Sequence, residues 1–72
     1  MGEDKNQKAK SLFTELTAYE KRGVDITLNG VAASPMQVVQ AHMLREDVVF
    51  MRDYVMNEKG DIKKLGFNDV EL

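Results

Sequence analysis

The tetrapeptide Ser34-Pro35-Met36-Gln37 obliges a helix to begin near the middle of the chain. Ser34 suits the N-cap, where its hydroxyl can accept an otherwise orphaned backbone N–H. Pro35 suits the first helical position, because its missing N–H costs nothing there and its φ is preset. Gln37 can reach back to the Ser34 N–H and close a capping box. Just upstream, Asn29-Gly30 is the favoured pair for a two-residue type I′ hairpin turn. Between that turn and the cap, only Val31 and Ala32 are left for a return strand.

The remaining elements follow from this centre. Val24-Asp25-Ile26-Thr27-Leu28 alternates apolar and polar residues and reads as the strand leading into the turn. Ahead of it, Ala9, Leu12, Phe13, Leu16 and Tyr19 recur at helical spacing and form one apolar stripe. Lys21 and Arg22 suit the last turn of that helix, and Gly23 suits its C′ position. In the second helix, Met36, Val39, Met43, Leu44, Val48, Phe50 and Met51 share a face on a helical wheel. Val38, His42, Arg45, Glu46, Val49 and Asp53 fall on the other side. Tyr54 and Val55 could extend that helix, with Gly60 as its terminator. The favoured reading is a hairpin, with Tyr54-Val55-Met56 as a strand, Asn57-Glu58-Lys59-Gly60 as a turn, and residues 61–67 as the return strand.

The fold expected is α+β, in the order α-β-β-α-β-β, with two helices packed on a small antiparallel sheet. A mainly α chain with one short hairpin is the alternative. Residues 1–5 are expected to be a flexible N-terminus, 6–68 a single domain, and 69–72 a C-terminal tail.

Composition narrows the function classes. At 72 residues the core must be thin, and chains of this size usually rely on disulfides, a metal or self-association. With no cysteine, disulfides and Cys-based zinc sites are excluded, and the single histidine excludes a multi-histidine cage. Net charge is −2, distributed as +1, −2 and −1 over residues 1–22, 23–47 and 48–72. No segment has the basic excess that drives phosphate binding, which disfavours nucleic acid. No run approaches the ~20 apolar residues of a membrane span. The polar start Met1-Gly2-Glu3-Asp4-Lys5-Asn6 lacks a signal-peptide apolar core. A cytoplasmic protein without a membrane partner is expected.

The segments Ile26-Thr27-Leu28-Asn29-Gly30, Ser34-Pro35, Arg45-Glu46-Asp47, Met51-Arg52-Asp53-Tyr54-Val55 and Asn57-Glu58-Lys59-Gly60 carry a resemblance. Together they resemble small uncharacterised proteins carried on conjugative transposons and prophages of Gram-positive bacteria. The resemblance spans residues 24–70. It implies a mobile-element setting and brings no activity or functional residue with it.

Few residues suggest chemistry. His42 and Glu46 stand at i and i+4, and Asp53 joins their direction if the helix runs that far. Such a trio could hold a divalent metal or support acid–base work, but an ordinary solvated i,i+4 pair is the favoured reading, since no matching motif or supporting partner can be named. Phosphate-loop and dinucleotide fingerprints are missing, and Ser34 is already used as a cap. No catalytic residue and no cofactor is assigned, and the chain is not expected to be an enzyme. Five methionines favour either a plastic core or an adaptable binding face. The expected function is a non-catalytic protein–protein interaction or regulatory module. Met51, Arg52, Tyr54 and Met56 are the contact candidates, and the partner is another protein or a second copy. A nucleic-acid accessory protein using Arg45, Arg52, Lys63 and Lys64 is the alternative.

Overall fold

The structure, a computed structural model, describes residues 2–45 and 47–71. The elements are α1 (Gly2–Lys21), β1 (Asp25–Leu28), β2 (Val31–Ala32), α2 (Pro35–Leu44), β3 (Val48–Met56) and β4 (Ile62–Glu71). The order is the expected α-β-β-α-β-β of an α+β domain, with both helices on one face of a four-stranded sheet.

Local chemistry sets the joints. The Gly23 N–H donates to Glu20 O and the Val24 N–H to Tyr19 O, each at 3.0 Å, which is the Schellman closure of α1. Asn29 and Gly30 take φ of 52° and 82°, as a type I′ turn requires. At α2, Gln37 N donates to Ser34 Oγ at 3.2 Å and Ser34 N to Gln37 Oε1 at 2.8 Å, so the capping box is complete. At the β3–β4 turn, Asn57 Oδ1 accepts from the N–H groups of Lys59 and Asp61. Gly60 there has φ of 86°, which a side chain would resist.

The sheet runs β2-β1-β4-β3. Its two outer pairs, β1–β2 and β3–β4, are antiparallel as expected. The central pair, β1–β4, is parallel, with Ile26 beside Leu65 and Leu28 beside Phe67, so the sheet is mixed. The crossover through α2 and β3 returns β4 to β1 in the same direction. The core is Leu16 of α1, Val24 just before β1, Ile26 of β1, Val38 of α2, and Leu65 and Phe67 of β4.

Three boundaries differ from the sequence expectation. First, α2 stops at Leu44, and residues 48–51 are strand. The helical wheel that grouped Val48, Phe50 and Met51 with Met36 does not exist. The β-branched pair Val48-Val49 and the period-two series Val48, Phe50, Tyr54, Met56 fit a pleat as well as a wheel, and pairing with residues 68–71 decides for the pleat. Second, β4 continues to Glu71, because Asn68, Asp69 and Val70 find Met51, Phe50 and Val49 as partners. Third, α1 begins at Gly2, inside the segment expected to be a flexible N-terminus.

The inward face of α2 also differs. Val38 and Val39 are buried, whereas Met36 and Met43 are about half exposed and Leu44 is 81% exposed. The methionine arc therefore faces outward, and His42 turns to the sheet.

Candidate functional site

The candidate contact residues all lie on β3, where alternation sends them to two faces. Arg52, Tyr54 and Met56 share the helix side with Val48 and Phe50. Met51 lies on the other face, with Val49, Asp53 and Val55. No described helix covers that second face. There, Val49 pairs across the sheet with Val70, and Val49, Met51 and Val70 are exposed by 47%, 60% and 44%. These three form an apolar patch at one end of the open face.

On the helix side, Arg52 is held from several directions. Its Nη1 donates to Glu15 Oε2 at 2.8 Å and its Nη2 to Glu15 Oε1 at 2.9 Å, a two-pronged bond to α1. Nη1 also donates to the Tyr54 hydroxyl at 3.1 Å. The guanidinium lies 5.3 Å from the Phe67 ring centroid, within cation–π range. The hydrogen bonds from Arg52 hold the Glu15 carboxyl below its ordinary value, and those to Glu15 hold the guanidinium above its own. Burial, with Tyr54 and Glu15 close by, pushes the Tyr19 phenol up. This cluster latches α1 to the edge of the sheet.

His42 is a packing residue here. Its ring stacks on Phe50 at a centroid distance of 4.2 Å and meets Phe67 edge-on at 5.5 Å. Its Nδ1 lies 2.8 Å from Val38 O, and because a carbonyl only accepts, that nitrogen carries the proton. Asp53 stands on the opposite side of the sheet, next to Gly66. The common direction expected for His42 and Asp53 required α2 to continue, so the sheet now separates the two. Glu46, the third member of that trio, lies outside the described residues. Among the described residues no cluster of three His, Cys, Asp or Glu side chains is placed to hold a metal.

The four basic candidates do not converge. Arg45 pairs with Asp69 at 3.5 Å and approaches Asp47 at 3.8 Å, tying the end of α2 to β4. Arg52 is engaged by Glu15 on the helix side. Lys64 pairs with Val55 and Asp25 on the open face, and Lys63 occupies the β4 irregularity.

Sequence reasoning missed Glu15, Phe50, Val49 and Val70. Glu15 sits outside the apolar stripe of α1, and nothing in its neighbours announces an arginine on a distant strand. Val49 and Val70 become visible only once β3 and β4 are extended through residues 48–51 and 68–71.

No described helix is long and apolar enough to cross a membrane. No protein-family model matches the chain, and comparison with curated proteins and with solved structures gives no significant match.

Proposed function

We propose that this chain is a non-catalytic protein-interaction module, regulatory in character, whose recognition element is β3. The observation that carries this reading is the exposed apolar set on one edge strand. Val49, Met51, Tyr54 and Met56 are exposed by 47%, 60%, 42% and 58%. Apolar side chains gathered at a sheet edge favour a partner more than scattered ones do. The ion pairs Arg52–Glu15 and Arg45–Asp69 weigh against the nucleic-acid alternative, since they engage two of its four cations within the chain. The cytoplasm, expected from the polar start of the sequence, and a bacterial mobile element, implied by the resemblance above, are the setting proposed with it.

The test is affinity capture from native extract with the full chain and with Met51→Asp. The side chain of Met51 is exposed, so the variant keeps its fold while changing the surface. A partner, whether this chain or another protein, that binds the parent and is lost by the variant supports the reading. A parent that captures nothing, or a variant that retains every partner, removes it.

A further inference from the structure

A long free strand recruits another strand unless something blunts it, such as shortness, proline, a bulge or inward charge. The β2 edge is only two residues long. The β3 edge runs for nine residues without proline. The register shift at Val55 and Met56 sets the extra residue, Lys63, on β4, so the pleat of β3 is unbroken. Asn57 donates its N–H across the hairpin to Asp61 O at 2.8 Å and therefore faces β4. Alternation back along β3 turns the N–H and C=O groups of Met56, Tyr54, Arg52, Phe50 and Val48 outward.

The strand is also complementary to its own reverse. Laid antiparallel on another β3 about Arg52, Val48 meets Met56, Val49 meets Val55, Phe50 meets Tyr54, and Met51 meets Asp53. This register uses all nine residues and pairs the outward-facing backbone groups with each other. Aromatic faces aromatic, and β-branched faces β-branched, which are favourable cross-strand pairs. The two Arg52 side chains meet at the axis, but each brings the Glu15 carboxylate bound to it, so the centre is charge-balanced.

Neighbouring registers are worse. Slipping by one residue sets the helix side of one copy against the open face of the other. Centring on Asp53 opposes two carboxylates, and centring on Met51 shortens the ladder and sets Val49 against Asp53.

We infer that β3 pairs antiparallel with β3 of a second copy of this chain, with a two-fold axis at Arg52. The pairing joins the two four-stranded sheets into one continuous sheet with both helical layers on the same side. The contact is isologous and closes at two copies. This inference rests on β3 being the recognition element, and it names the partner.

The test uses the full chain, which has no native cysteine. Sedimentation equilibrium of the parent is expected to show a reversible dimer of the 8.2 kDa chain. Met51→Asp sets like charges against Asp53 at two symmetric places and is expected to raise Kd by about tenfold or more. Met51→Lys sets opposite charges there and is expected to leave Kd equal or lower. Under mild oxidation the double variant Val49→Cys/Val55→Cys is expected to crosslink between copies, and either single variant is not. Within one chain the two positions are ~20 Å apart along the strand, too far for an internal disulfide.

A monomer at every concentration overturns the inference. So does a dimer indifferent to the sign of charge at position 51, or one that does not crosslink through positions 49 and 55. If the chain is monomeric yet captures another protein that Met51→Asp loses, the interaction module stands and only the self-pairing fails. If both experiments fail, both readings fall.

Discussion

Arg52 of β3 and Glu15 of α1 lie 37 residues apart in sequence and are joined by two hydrogen bonds of 2.8 and 2.9 Å. That bond fastens the first helix to the last hairpin. It also pairs the only cation of β3 with a carboxylate of α1, so the charge that Arg52 brings to the strand is balanced within the chain.

The carboxyl of Glu15 titrates below its ordinary value in the folded chain, because Arg52 hydrogen-bonds its charged form. A group with a depressed folded pKa contributes stability above its unfolded pKa and loses it as pH falls through the folded value. Stability is therefore expected to fall below about pH 4.5, the ordinary value of the group. Glu15→Gln removes this contribution. The side chains are 37% and 34% exposed, so solvent limits the loss to about 1 kcal/mol or less. Urea unfolding of both proteins at about pH 7 and about pH 3 checks this, with the gap between them narrowing at the lower pH.

His42 contributes through its ring, by stacking on Phe50 and meeting Phe67. His42→Phe is expected to stay within about 1 kcal/mol of the parent, because it keeps the aromatic contacts. His42→Ala is expected to lose about 1–3 kcal/mol. Thermal denaturation of the two variants separates them, and equal losses would show that the ring is not what matters.

Phe67 is 1% exposed and is among the largest fully buried side chains. It also lies under the Arg52 guanidinium. Phe67→Ala is expected to cost about 3–5 kcal/mol. In a domain this small, that is enough to abolish most of the folded population. The far-UV circular dichroism spectrum and amide dispersion of the variant give the readout.

Asn29 does two jobs. It occupies a left-handed position in the type I′ turn, and its Oδ1 accepts from Asp69 N at 3.0 Å. Asn29→Gly keeps the turn and removes the bond, for an expected loss of about 1 kcal/mol. Gly30→Ala keeps the bond and strains the turn at φ of 82°, for about 1–2 kcal/mol. Hydrogen exchange at Asp69 N–H distinguishes the two, accelerating chiefly in the first.

The legible parts of the fold were those with local chemistry. The Ser34–Gln37 cap, the Asn29-Gly30 turn, the close of α1 at Gly23 and the Asn57–Gly60 turn all stand where the residues indicated. The helical wheel across residues 36–51 misled, because it ran through the end of α2 at Leu44 and into a strand. It also placed His42 with the polar residues, although its aromatic ring is what the sheet accepts. Of the candidate site, Met51, Tyr54 and Met56 are exposed on β3, whereas Arg52 is committed to Glu15.

Residue order alone determined the caps, the turns and the sequence of elements, because each depends on torsions and hydrogen bonds that close within a few residues. Only the tertiary structure decided that β4 lies between β1 and β3, that the methionines of α2 face outward, and that β3 stands at the edge. Those outcomes depend on contacts such as Arg52–Glu15 and Asn29–Asp69, which form only when distant faces bury each other together.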